Sequence, residues 1–100
     1  MKAGNKKVKI LVVDDEEELL ELIDKSLSSE GYEVTTVTTA GDAMQKARTI
    51  APNLILIDID LPDMEGPEAI RILNEDPRTD AIPAIFLSGI VTRERQEEAA

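Results

Sequence analysis

Five residues with oxygen-bearing side chains lie at or just beyond the ends of short apolar segments, and their types limit the chemistry that they can perform. These residues are Asp14, Asp15, Asp58, Asp60 and Ser88. Carboxylates that come together bind hard divalent cations such as Mg²⁺, and a carboxylate can also be a nucleophile toward a phosphoryl group. The sequence has no His and no Cys, which excludes imidazole bases, thiolate nucleophiles and cysteine zinc sites. The available chemistry therefore rests mainly on carboxylates.

Four apolar segments rich in β-branched residues alternate with helical patterns. The segments predict strands over residues 8–13, 34–38, 54–57 and 84–87. Apolar residues at helical spacing predict helices over residues 16–29 and 40–50, a third between Pro67 and Asp76-Pro77, and a fourth after Thr92. No linker, repeat or low-complexity tract interrupts this order. We therefore expect one domain over residues 8–100, preceded by a flexible tail of residues 1–7.

Local signals refine the ends of the first helix and the place of the second strand. Asp15 and Glu18 have the spacing of a capping box at the start of the first helix. Gly31 stands where a helix C-terminal glycine is expected. The threonines of the second strand favour an edge of the sheet, where one side of a strand stays in contact with water.

The alternation of strands and helices predicts an α/β fold with parallel strands and helices on both faces of the sheet. Ligands of such sheets bind beyond the carboxyl ends of the strands. If the first and third strands are neighbours, Asp14, Asp15 and Asp58 meet there. Two bare carboxylates at about 4 Å repel by about 1 kcal/mol even in water. A bound Mg²⁺ would offset this repulsion, since it prefers oxygen ligands.

Each of these residues also has an ordinary structural interpretation. Asp14 and Asp15 fit a helix N-cap and a first-turn charge that favours the helix dipole. Asp58 and Ser88 fit turn or cap positions, and Asp60 fits a solvated loop. Their joint placement at one edge of the sheet favours a functional site over these separate interpretations.

Three motifs resemble the receiver domains of bacterial response regulators, over residues 8 to about 98. They are Leu-Val-Val-Asp14-Asp15-Glu16, then Ile-Leu-Ile-Asp58-Ile-Asp60-Leu-Pro62-Asp-Met-Glu-Gly66, then Ala-Ile-Phe-Leu-Ser88-Gly89. The most specific part is D-x-x-x-P-x-x-x-G from Asp58 to Gly66. The resemblance implies a flavodoxin-like, doubly wound parallel sheet with strand order 2-1-3-4.

The resemblance also implies a role for each site residue. Asp58 looks like the phosphoacceptor, and Ser88 like the hydroxyl that donates a hydrogen bond to the phosphoryl group. Asp15, Asp58 and the backbone carbonyl of Asp60 look like ligands of Mg²⁺, or of Mn²⁺ in its place, with Asp14 acting through a bound water.

The resemblance further implies what the domain does and what it meets. The phosphoryl group would come from a phosphohistidine of a sensor histidine kinase or phosphotransfer protein, in a phosphorelay. The chain would then be a signalling domain rather than an enzyme.

The chain departs from the family pattern at its C-terminal end. Receiver domains carry a Lys at the end of a fifth strand, whereas no Lys follows Lys46 here, and positive charge near the end comes from Arg93 and Arg95. We therefore expect a C-terminally truncated receiver domain without the fifth strand and last helix. Such a domain would bind Mg²⁺ but accept phosphoryl groups poorly.

The same truncation makes the fourth strand an expected edge of the sheet. Its apolar residues Ile85, Phe86 and Leu87 would be partly uncovered. We expect a homodimer that covers this edge.

Net charge and hydropathy restrict the partners and the location of the chain. A formal charge of −10 disfavours binding to nucleic acid and to anionic membranes. The first apolar segment is too short for a signal peptide or a membrane span, so a cytoplasmic location is the default expectation.

Two other functions compete with the phosphoacceptor hypothesis. Asp58-Ile-Asp60 and Ser88 also resemble the nucleophile pair and hydroxyl of haloacid-dehalogenase-type phosphatases. Alternatively, the chain is a pseudo-receiver that binds partners through its helices without being phosphorylated.

Overall fold

Strands and helices alternate along residues 7–87, the part of the chain that the structure, a computed structural model, describes. The strands are β1 (Lys9–Val13), β2 (Glu33–Val37), β3 (Leu54–Ile57) and β4 (Ala84–Phe86). The helices are α1 (Glu17–Ser29), α2 (Ala40–Ile50) and α3 (Gly66–Glu75). The predicted order of elements is confirmed over these residues, with ends that agree to within one residue. The expected fourth helix after Thr92 and the expected tail up to residue 6 lie outside the described residues.

The strands form one parallel sheet in the order β2-β1-β3-β4, which confirms the predicted fold class and strand order. β1 lies in the middle, with Val13 opposite Val37 of β2 and opposite Ile57 of β3. β2 is an edge strand, as its threonines predicted. On the other side of β3, Ile57 pairs with Phe86 of β4.

Alternate residues of the central strands face opposite sides of the sheet, and each side has its own core. One core joins residues of β1 and β3 to small residues of α2 and to Ala69 and Leu73 of α3: it contains Leu11, Val13, Ile55, Ile57, Ala40, Ala43 and Ala47. The other core packs Ile10 and Val12 of β1 against Leu20 of α1, with Leu87 beside them. Both faces of β1 are therefore buried, which explains the unbroken apolar sequence from Ile10 to Val13.

The ends of α1 differ in how their free backbone groups are satisfied. The predicted capping box is wrong: the helix has Glu16 at its N-cap, and no side chain accepts a cap hydrogen bond. Asp14 accepts the Glu16 amide instead, at 2.8 Å, so the acidic residues shape the turn before the helix. At the other end, Gly31 has a φ of 98°, and its amide donates to the Ser28 carbonyl, while Tyr32 donates to Leu27. These two hydrogen bonds form a Schellman motif, so the predicted end of α1 at a glycine is confirmed.

β4 leaves part of its apolar surface uncovered. Ile85 is 51% exposed and Phe86 is half-buried. The expectation that Leu87 is also uncovered is wrong, since this residue is 4% exposed and packs in the core on the α1 side of the sheet. Within residues 7–87, no helix combines the length and apolar character needed to cross a lipid bilayer.

Candidate metal centre

The register of the central strands places Asp14 and Asp58 side by side. Val13 and Ile57 are paired across β1 and β3, and each is followed directly by one of the two aspartates. The Asp58 amide donates to the Val13 carbonyl at 2.9 Å, and so continues the ladder by one residue. The two carboxylates leave the sheet at the same carboxyl-terminal edge, which is the expected ligand-binding edge of a parallel sheet.

Asp15 completes a cluster of three carboxylates with Asp14 and Asp58. One oxygen of each carboxylate lies within 4.8 Å of an oxygen of the others. The three differ in exposure: Asp14 is buried, Asp58 is half-buried and Asp15 is exposed. The predicted convergence of these residues is confirmed, and the cluster opens to solvent on the side of Asp15.

The pKa of Asp14 is raised, mainly because burial disfavours its charged form. The negative charges of Asp58, Glu16 and Asp15 raise this pKa further. The hydrogen bond from the Glu16 amide to Asp14 Oδ1 acts in the opposite direction, because it favours the ionised carboxylate. Burial and like charges therefore oppose the ionisation of Asp14, and the Glu16 amide offsets them in part.

The pKa of Asp58 is raised in the same way. Loss of hydration is the largest cause, and the charges of Asp15 and Asp60 add to it. The Ile59 amide donates to Asp58 Oδ1 at 2.9 Å and lowers the pKa in part. This bond fixes one oxygen of the carboxylate close to its own backbone.

The cluster fits a hard divalent cation. Within residues 7–87, the ion pairs join Arg71 to Glu68 and Glu75, and Arg78 to Asp76. None of these cations reaches the three aspartates. Crowded carboxylates to which no cationic side chain of residues 7–87 is paired, with a raised pKa at Asp14 and at Asp58, match the oxygen ligands that Mg²⁺ prefers.

The loop between β3 and α3, residues 58–65, folds back on itself beside the cluster. Asp60 and Glu65 form an isolated antiparallel bridge, and the Gly66 amide donates to the Ile59 carbonyl. A Cβ atom on Gly66 would collide with the Asp58 carbonyl oxygen and would lie 3.1 Å from the Ile59 Cα. The glycine of the D-x-x-x-P-x-x-x-G motif is therefore required by the close approach of α3 to the backbone of Asp58.

Ser88 and Asp63 complete the comparison of the predicted site with the structure. Ser88 lies outside the described residues, so its predicted contact with a phosphoryl group stays a prediction. Asp63 was not singled out from the sequence, yet its carboxylate accepts hydrogen bonds from the backbone amides of Ala40 and Gly41, each at 2.9 Å. The sequence signal for this role is an Asp in the loop that follows a strand next to β1. Its contact with α2 joins residues that are far apart in the sequence.

The sequence model of the response regulator receiver domain family matches residues 10–100 of the chain. Among curated proteins, the transcriptional regulatory protein PhoP of Bacillus subtilis is 42% identical over 67 residues, which cover 67% of this chain and 28% of PhoP. PilH of Pseudomonas aeruginosa is 36% identical over 89 residues, which cover 89% of this chain and 70% of PilH. The chain thus spans less than a third of the length of PhoP.

Solved structures show the same fold. The receiver domain of the sensor histidine kinase PA1611 from Pseudomonas aeruginosa, solved with a magnesium ion coordinated in its active-site cleft, is 30% identical with a TM-score of 0.76. That match covers 81% of this chain and 66% of the PA1611 chain.

Proposed function

Because the chain belongs to the family of response regulator receiver domains, which are phosphoacceptor modules of two-component signalling, we propose that Asp58 accepts the phosphoryl group in a Mg²⁺-dependent reaction. The observation that carries this proposal is the meeting of three carboxylates at the carboxyl ends of β1 and β3, with oxygens within 4.8 Å of one another. The family match favours this function over a phosphatase and over a receiver-like module that is never phosphorylated.

Asp58 is the best suited nucleophile of the three. Asp14 is buried, and its Oδ1 accepts the Glu16 amide, whereas Asp15 is exposed at the outer side of the cluster. Asp58 lies between them in exposure, at the end of the strand next to β1. A donor that approaches from solvent can reach its carboxylate, while the neighbouring strand ends fix its position.

In the transfer, an Asp58 oxygen forms a bond to phosphorus as the bond from phosphorus to the histidine nitrogen of the donor breaks. The electron pair of the broken bond stays on that nitrogen. Asp15, Asp58 and the Asp60 carbonyl would hold the metal, with Asp14 contributing through a water molecule. Mg²⁺, or Mn²⁺ in its place, would supply positive charge for the phosphoryl oxygens when bound there, and Ser88 would donate a hydrogen bond to one of them.

The proposal extends to the partners and the setting of the chain. The donor is a sensor histidine kinase or a phosphotransfer protein, and the chain itself catalyses at most weak transfer from small donors and weak hydrolysis. Residues 8–100 would form the receiver domain, after a tail of residues 1–7, in the cytoplasm. A homodimer would form through the edge of β4, where Ile85 is 51% exposed.

Mass spectrometry after incubation with acetyl phosphate and Mg²⁺ tests the assignment of Asp58. We expect a slowly growing fraction of the intact chain to gain the mass of one phosphoryl group, and the Asp58→Asn variant to gain none. Chelation of Mg²⁺ should abolish labelling of the unmodified chain, because the metal neutralises the charge of the incoming group.

Asp60→Asn serves as the matched control, since it changes a carboxylate two residues away but leaves the backbone carbonyl in place. This variant should still be labelled. Labelling that persists in Asp58→Asn would contradict the assignment of the phosphoacceptor.

A further inference from the structure

Asp63 joins the loop between β3 and α3 to the first turn of α2. Its Oδ1 accepts the Ala40 amide and its Oδ2 accepts the Gly41 amide, each at 2.9 Å. These amides belong to the first two residues of the helix, whose N–H groups have no partner within the helix. Both oxygens of one side chain are therefore used to connect two elements that are 22 to 23 residues apart in sequence.

The rest of the first turn of α2 is satisfied locally. Thr39 Oγ1 accepts the Asp42 amide at 3.1 Å, and the Thr39 carbonyl accepts the Ala43 amide at 3.0 Å. Thr39 is thus an ordinary N-cap within its own element. Asp63 caps the same helix from a different element, which makes its contact a connection between the loop and α2.

A carboxylate suits this contact better than any other side chain of its size. It presents two acceptor oxygens to two N–H donors, and its charge is favourable at the positive end of the helix dipole. The two amides lower the pKa of Asp63, which agrees with a carboxylate that stays ionised. An asparagine would keep one acceptor but would turn an NH₂ donor toward the second amide.

The same loop carries the groups proposed for metal binding. It begins at Asp58 and includes the backbone carbonyl of Asp60, while the Asp60–Glu65 bridge and the contact of Gly66 with Asp58 close its base. Asp63 lies at the far end of this closed loop and attaches it to α2. Without that attachment, the loop would be held only at its base, and the Asp60 carbonyl would keep one of its two constraints, the bridge to Glu65.

We propose that Asp63 is a positioning residue for the metal site: it acts through the β3–α3 loop by holding the loop against the first turn of α2. The inference rests on the proposed function, since it assumes that the loop carbonyl binds Mg²⁺. Side chains that orient ligands without touching the metal commonly change metal affinity by about 10-fold or more. Because Asp63 acts through the backbone of the loop, we expect a loss of roughly 5- to 10-fold.

Titration of the full chain with Mg²⁺ by calorimetry tests the proposal. The Kd should rise by roughly 5- to 10-fold in Asp63→Ala and in Asp63→Asn, because the loop is no longer held by two hydrogen bonds. Thr39→Ala is the structural control, since it removes the other side-chain cap of α2 without touching the loop. Asp42→Asn is the charge control, since it removes a negative charge from the same turn. Both controls should bind Mg²⁺ within about 2-fold of the unmodified chain.

Amide hydrogen exchange without metal gives a second measurement that does not depend on Mg²⁺ binding. In both Asp63 variants, the Gly66 amide and the amides of residues 59–61 and 63–65 should exchange faster, whereas Thr39→Ala should accelerate exchange only in the first turn of α2. Equal changes in Kd and exchange for Thr39→Ala and Asp63→Ala would overturn the proposal. An unmodified chain that binds no Mg²⁺ would instead contradict the proposed function, and the exchange data would still decide the role of Asp63.

Discussion

Two of the three clustered aspartates, Asp14 and Asp58, place like charges where burial already disfavours them. The pKa of Asp58 is raised above its ordinary value of 3.8 by loss of hydration and then by the charges of Asp15 and Asp60. A carboxyl group with a raised pKa binds more protons in the folded than in the unfolded state between the two pKa values. The free energy of unfolding therefore falls as the pH rises through this window, and the cost is fully present at neutral pH.

Replacing Asp58 by asparagine should stabilise the chain without metal at pH 7. The variant loses the repulsion but keeps an oxygen that can accept the Ile59 amide. Since the cluster is open to solvent, we expect a gain on the order of 1 kcal/mol in the free energy of unfolding. Urea unfolding followed by circular dichroism in the presence of a chelator measures this gain.

The pH and the metal provide two checks on this explanation. The gain should shrink as the pH falls through the raised pKa of Asp58 and should disappear below 3.8, where the unmodified side chain is protonated in both states. Saturating Mg²⁺ should reverse the order of stability, because it binds the folded unmodified chain more tightly than the variant. A gain that is the same at all pH values would show that charge repulsion is not its cause.

Sequence reasoning foresaw the aspartate cluster but not the role of Asp63. Asp14, Asp15 and Asp58 follow apolar strands directly, so strand order alone brings them together. Asp63 lies in a loop of irregular backbone, and its contact with the amides of Ala40 and Gly41 depends on how that loop folds. Periodicity carries no information about such a contact.

The elements themselves were predictable because each has a regular pattern of apolar residues. The ends of these elements were harder to predict, as the start of α1 shows. The residues from 14 to 18 offer five carboxylates and Asp14 lies two residues before the actual N-cap, so several capping arrangements compete. The hydrogen bond from the Glu16 amide to Asp14 decides between them, and it couples the turn before α1 to the metal cluster.

At the level of elements, the start of α3 against the backbone of Asp58 predicts a severe effect of Gly66→Ala. An added Cβ atom would collide with the Asp58 carbonyl oxygen, and neither the strand end nor the helix can move without disturbing the sheet. We expect a loss of more than about 2 kcal/mol in the free energy of unfolding. Urea unfolding compared with the unmodified chain measures this loss.

Two other glycines provide graded controls for this prediction. At Gly41, an added Cβ atom would lie 3.4 Å from Asp63 Oδ2, an ordinary contact, so Gly41→Ala should change stability by less than about 0.5 kcal/mol. Gly31 has open space but a φ of 98°, so alanine there should cost about 1 to 2 kcal/mol from backbone strain. If Gly41→Ala proved as damaging as Gly66→Ala, the steric explanation would be wrong.

Considered as a whole molecule, the two faces of the sheet are covered unequally within residues 7–87. The α2 and α3 side contains a core of fully buried residues. On the α1 side, Leu54 and Leu56 are half-buried, and Ile85, which pairs in register with Leu56, is 51% exposed. Apolar surface therefore continues from the sheet face to the edge strand β4, which bears out the expected exposure of Ile85 but not that of Leu87.

An edge strand with exposed apolar residues can pair with a second copy of the same chain. We expect the chain of residues 1–100 to self-associate at high micromolar concentration, and the Ile85→Lys variant to remain monomeric, because a lysine at an edge strand disfavours pairing. Light scattering coupled to size-exclusion chromatography measures the mass over a series of concentrations.

Leu22→Lys is the control for this prediction. Leu22 is 63% exposed on α1, so its replacement removes a similar apolar group away from the edge and should leave association unchanged. A monomeric mass for the unmodified chain, or equal suppression by both variants, would contradict association through β4.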